Sequence, residues 1–147
     1  FARSRQVWPA SLVVASRRAD LALVRARNVA GEVPTVQGLN LRPDTLAAGT
    51  PVALMGYPLS APPPADGAPS EHAPEPIVTG GLLVDRIQGT VRIRGYGEPG
   101  GSGGPILDAR GQVVGILRGG TANSAEGEQV LVGVPSTELD RLLSTVR

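Results

Sequence analysis

The 147-residue sequence contains no cysteine, and all 14 of its basic residues are arginine, so it contains no lysine either. Without cysteine there is no disulfide and no zinc–thiolate site. Without lysine there is no P-loop lysine, no Schiff base and no Ser-Lys dyad within the chain. A single histidine, His72, cannot build a multi-histidine metal site. No metal and no cofactor are therefore expected. No apolar run approaches the roughly 18 residues that a membrane-crossing helix needs. Charge is almost balanced, 14 basic against 13 acidic residues. The pairs Arg17-Arg18, Arg25/Arg27 and Arg92/Arg94 are scattered, which reads as solvated strand edges and not as a nucleic-acid face. Aromatic residues make up only 3%, so a core has to be assembled from Val, Leu, Ile and Ala.

What is abundant is glycine (20 residues) and proline (14 residues). They punctuate short apolar runs, a pattern that predicts an all-β fold of brief strands and tight turns. In residues 1–40 the candidate strands lie near Val7, Leu12–Ala15 and Leu21–Ala26. Only the last ten or so residues read as helix. Ser136 or Thr137 can cap it, Glu138 lies in its first turn, and Leu139, Leu142 and Leu143 share one face. The segment Ser60–Pro76 has almost no apolar side chains and reads as an exposed or disordered loop.

The most informative stretch is Gly100-Gly101-Ser102-Gly103-Gly104-Pro105, followed by two apolar runs joined through Asp108-Ala109-Arg110-Gly111-Gln112. Glycines let the backbone fold tightly around the serine, and the hairpin that follows displays its hydroxyl. A Gly/Ser linker would not be followed by a proline and a well-formed hairpin. The stretch resembles the G-x-S-G-G-P-[LIV] nucleophile segment of chymotrypsin-like serine endopeptidases, most closely the bacterial HtrA (Deg) branch. Asp20-Leu21-Ala22-Leu23-Val24 resembles the D-L-A-L-[LV] segment that carries the triad aspartate of that family. Gly49–Leu59 resembles the strand that opens its second barrel, and Leu131–Ser136 its last strand before the closing helix.

The resemblance implies a double β-barrel with a C-terminal helix. Residues 1–44 would be the end of a first, incomplete barrel, and residues 45–147 a complete six-stranded second barrel with the helix. It implies hydrolysis of peptide bonds in polypeptide substrates, with Ser102 as nucleophile and Asp20 as triad acid. The N–H groups of Gly100 and Ser102 would form the oxyanion hole. Arg118, Gly119 and Gly120 would pair with the substrate backbone. Tyr96, six residues before the serine, falls at the floor of the primary specificity pocket, beside Leu117. A tyrosine there, and no aspartate, implies a preference for a small or medium apolar residue before the cut, with Glu98 the nearest acid. Gly101 replaces the Asn or Asp that usually anchors this loop.

A serine triad also needs a base. His72 lies in the Pro-rich loop, which would hold an imidazole too loosely for catalysis. In the family the histidine precedes the aspartate by a few tens of residues, and only nineteen residues precede Asp20 here. The expectation is therefore that the base lies upstream of Phe1. The chain would be a fragment, one piece of a nicked enzyme, or a degenerate relative that binds peptides without cutting them. In the first two cases a preceding segment, or a separate chain, completes the first barrel. The same resemblance implies an exported bacterial protein.

Overall fold

The computed structural model describes residues 8–27, 36–42, 46–57, 76–122 and 129–146. Val7, with its candidate strand, and His72, with residues 58–75 of the Pro-rich stretch, lie outside the described residues.

The described N-terminal part is a two-stranded antiparallel ribbon, β1 (Ala10–Ser16) and β2 (Leu21–Ala26). Register runs from Ala10 opposite Ala26 to Ser16 opposite Leu21, with a shift between Leu12 and Val14. Arg17–Asp20 turn the chain. Ala19 N–H donates to Ser16 Oγ (3.2 Å), and Asp20 closes the turn at φ 55°. That left-handed conformation is one that aspartate tolerates better than most side chains. Leu12 and Val24 face each other across the ribbon and stay 64% and 59% exposed.

Six further strands close into a barrel in the order β3-β4-β5-β8-β7-β6, every pairing antiparallel. They are β3 (Pro51–Gly56), β4 (Ile77–Ile87), β5 (Thr90–Gly95), β6 (Pro105–Leu107), β7 (Val113–Ala122) and β8 (Gln129–Pro135). The inward side chains come from alternate positions, as the period of a strand requires. Val91 and Ile93 of β5 and Ile106 of β6 are fully buried, packed with Val52, Leu54, Leu83, Val114, Leu117 and Leu131. This is the all-β fold that the short apolar runs predict, with the closed six-stranded barrel that the resemblance implies. Arg92 donates through Nε and Nη2 to the two carboxylate oxygens of Asp85, its cross-strand partner.

The connector before the barrel is clasped to it. Leu41 bridges Val113 in parallel, Arg42 N–H donates to Val113 O (2.9 Å), and Val113 N–H donates to Asn40 O (2.8 Å). Arg42 Nη1 donates to Asp108 Oδ2 at 2.7 Å. Asp108, buried, also accepts from the N–H groups of Arg110 (2.8 Å) and Gln112 (2.9 Å), which fixes the β6–β7 hairpin turn. The Arg42 guanidinium, helped by those N–H groups, holds the Asp108 carboxyl below the usual carboxylate range.

Helix α1 (Ser136–Ser144) ends the described chain. The expected side-chain cap is absent. The N-cap is Pro135, and Ser136, fully buried, instead donates its hydroxyl to the carbonyl of Arg42. A buried hydroxyl must find an acceptor, and here a distant carbonyl outcompetes the local helix end. Leu139, Leu142 and Leu143 do share a face. With Leu21, Ala22 and Leu23 of β2 and Ile116 of β7 they line a largely apolar cavity of about 410 Å³. No described helix is long and apolar enough to cross a membrane.

Candidate active site

Around Ser102 the glycine-rich turn between β5 and β6 is shaped by four main-chain bonds. Gly101 N–H donates to Glu98 O and Gly104 N–H to Gly101 O, both at 3.0 Å. Two bonds clip the turn to β7: Gly103 N–H to Leu117 O (2.7 Å) and Leu117 N–H to Gly104 O (2.8 Å). Backbone thus supplies the anchoring that Gly101 cannot supply by a side chain. Gly100 and Gly103 adopt φ 98° and 88°, open to glycine and strained for other residues. Gly104 is fixed by space as well, because a Cβ there would sit 1.8 Å from Met55 O of β3.

Gly101 turns its own N–H back into the turn. The N–H groups on either side of it, of Gly100 and Ser102, meet no acceptor among the described residues. Two unpaired donors next to a serine hydroxyl are what stabilisation of an oxyanion requires. Ser102 Oγ itself donates to the carbonyl of Arg118 at 3.0 Å.

Strand β7 has two neighbours only in its first half. β6 pairs with it as far as Ile116, and Leu117 bonds Gly104; beyond that, among the described residues, β8 alone accompanies it. From Arg118 onward one edge of β7, beside Ser102, has no strand partner among the described residues. An edge of this kind can take up an extended peptide through main-chain bonds.

Next to Ser102 lies a cavity of about 260 Å³. Gly97, Glu98 and Pro99 of the turn, Gly119 and Gly120 of β7, and Gln129 line it, with buried Leu117 and Leu131 supplying its apolar surface. Gln129 and Leu131 are not legible from local sequence, since only the pairing of β8 with β5 and β7 brings them here. Gln129 Oε1 accepts from Gly97 N–H (3.1 Å). Tyr96, expected at the pocket floor, is not among the residues that line this cavity. It is half exposed, its hydroxyl donates to Glu98 Oε1 (3.1 Å), and its carbonyl accepts from Thr79 Oγ1 (2.8 Å). The Glu98 carboxylate pushes the Tyr96 phenol above its ordinary value, first through that hydrogen bond and then through its charge.

Asp20 and Gly103 line the 410 Å³ cavity together, so the ribbon turn and the serine turn border one space. Asp20 Oδ2 lies 3.3 Å from Arg118 Nε, an exposed ion pair. Ser102, Arg118 and Asp20 are thus linked in series, the middle residue using its carbonyl for one and its guanidinium for the other.

A family model described as "Trypsin-like peptidase domain" matches residues 2–116. The fold is similar to a crystal structure of the Rv3671c protease from M. tuberculosis in its active form, with a TM-score of 0.72. That alignment covers 93% of this chain and 58% of that one at 20% identity, so this chain spans little more than half of that protease. No curated protein matches the sequence.

Proposed function

Because the chain belongs to the trypsin-like peptidase family, we propose that it works as part of a serine endopeptidase of the HtrA kind. Ser102 is the nucleophile, Asp20 the acid, and the base is a histidine from outside these 147 residues. The observation that carries this reading is the pair of unpaired main-chain donors, Gly100 N–H and Ser102 N–H, beside the Ser102 hydroxyl.

In this mechanism the substrate backbone pairs with β7 at Arg118–Gly120, and the side chain before the cut enters the 260 Å³ cavity. The Ser102 hydroxyl leaves the Arg118 carbonyl and gives its proton to the imidazole as Oγ attacks the peptide carbonyl. Negative charge then develops between the two N–H donors, each worth about 3–4 kcal/mol of transition-state stabilisation. Asp20 holds the imidazole in the right tautomer and stabilises its charged form. The imidazolium returns the proton to the leaving amine, and water releases the acyl group by the same steps in reverse.

The ribbon supports the need for a partner segment. Isolated two-stranded sheets are marginal in water. Here the exposed Leu12–Val24 pair and the leucine-lined cavity under β2 present apolar surface for more strands, from the same chain or another.

The test is labelling with a fluorophosphonate probe. The intact protein is expected to label, its Ser102→Ala variant not to, and the 147-residue chain alone not to. An intact protein that fails to label would instead be a peptide-binding scaffold. Labelling of the short chain that vanishes with His72→Ala would make His72 the base.

A further inference from the structure

We propose that Arg118 is a positioning residue that ties the acid Asp20 to the strand carrying the nucleophile's hydrogen-bond partner. The proposal rests on the serine-peptidase reading above and assigns Arg118 a side-chain role in addition to its main-chain contact with substrate.

Three observations converge on it. The backbone of β7 cannot drift relative to Ser102, because Leu117 exchanges two hydrogen bonds with Gly103 and Gly104 of the serine turn. Pairing of β7 with β8 shifts register between Leu117 and Gly119, which makes Arg118 the extra residue of a bulge. Bulges re-aim side chains out of the regular alternation and recur beside active sites. Finally, the guanidinium leaving that bulge reaches Asp20, Nε to Oδ2 at 3.3 Å, while the carbonyl of the same residue accepts from Ser102 Oγ at 3.0 Å.

Asp20 needs such a tie. It stands in a left-handed turn at the tip of a two-stranded ribbon, outside the barrel that fixes Ser102. A triad acid acts by orientation, so freedom of the ribbon against the barrel becomes freedom of the imidazole it should hold. Arg118 sets one end of that distance from the barrel side. Its planar, permanently charged group suits a carboxylate better than a neutral side chain would. Both partners are more than half exposed, so the tie is weak, and its removal should slow the reaction only about two- to fivefold.

The experiment uses the intact protein and compares rates of fluorophosphonate labelling and of peptide cleavage for wild type, Arg118→Ala and Arg118→Lys. The same substitution is made in an Asp20→Asn background, whose slow residual labelling is followed at raised probe concentration. Arg118→Ala is expected to lower the labelling rate and kcat about two- to fivefold with KM unchanged. Lysine should restore most of the loss, and salt at about 1 M should shrink it, because exposed pairs are screened. In the Asp20→Asn background the substitution should have no further effect. An equal loss in both backgrounds would mean that Arg118 acts through packing of β7, and the proposal would be wrong. A gain in rate would overturn it too, since the guanidinium would then obstruct the base. A wild type that does not label refutes the peptidase reading itself, a result distinct from either.

Discussion

Gly104→Ala tests the placement of the nucleophile most directly. The new Cβ would lie 1.8 Å from the carbonyl oxygen of Met55, whereas real Cβ contacts essentially never fall below 3.0 Å. More than an ångström of separation has to open between the serine turn and β3. The obstacle is main chain, and Met55 is held in the ladder opposite Val78, so the turn is the part that yields. Ser102 lies two residues away, and Gly104 O holds Leu117 N–H. Overpacking of this kind costs about 1–3 kcal/mol of stability, and a displacement of about 1 Å at a reacting group costs on the order of 100-fold in rate. The expected outcome is a folded protein, less stable by about that amount, that labels with fluorophosphonate on the order of 100-fold more slowly. Gly111→Ala is the control. It forces a side chain into φ 74° with no neighbour within 4 Å, a cost of about 1–2 kcal/mol in the hairpin turn, away from Ser102. Its labelling rate should stay within about twofold of wild type. If Gly104→Ala labels as fast as Gly111→Ala, the turn is not pressed against β3 and the reasoning fails.

Three other outcomes are expected. Asp108→Asn keeps an acceptor for the Arg110 and Gln112 N–H groups but loses the charge facing Arg42, and urea denaturation should show a loss of about 2–3 kcal/mol at pH 7. The native carboxyl is held low, so the wild-type advantage is full above the unfolded pKa of about 4 and disappears as pH falls through the lower folded value; a constant difference down to pH 2 would contradict this. Asp20→Gly should retain wild-type stability, because glycine accepts φ 55°, while losing labelling; equal destabilisation by Asp20→Gly and Asp20→Ala would show that the turn does not need a left-handed residue. Gly119→Val places a side chain where nothing lies within 4 Å, beside the cavity next to Ser102, so the protein should fold normally and peptide-library profiling should shift to smaller residues before the cut.

Local sequence carries the barrel well. Val91 and Ile93 alternate inward because β5 is a simple period-two strand, and Asp108 to Gln112 form the turn that their polar run predicts. The serine turn is equally local, since its glycines and proline are contiguous. Contacts made across the chain are another matter. Ser136 looks like a helix cap and is taken by Arg42, 94 residues away. Tyr96 has the spacing of a pocket floor, and the hydrogen bond its hydroxyl makes to Glu98, two residues on, is visible only in the structure. Gln129 and Leu131 line the cavity only because β8 pairs with both of its neighbours. The Arg118–Asp20 pair joins two separate sheets, and no periodicity of either strand announces it.

The clasp at Arg42 also orders events in time. Its side chain waits for Asp108, 66 residues later, and its carbonyl waits for Ser136, 94 residues later. Contacts at such separations are slow to form, because a long loop has to close before they repay its entropy. On a ribosome the ribbon is made early, whereas Leu139, Leu142 and Leu143 of α1, which line the far side of the cavity beside β2, are among the last residues to emerge. A chain truncated before Ser136 would still carry Asp20 and Ser102 but would lose the clasp on the Arg42 carbonyl and the helix face beside β2.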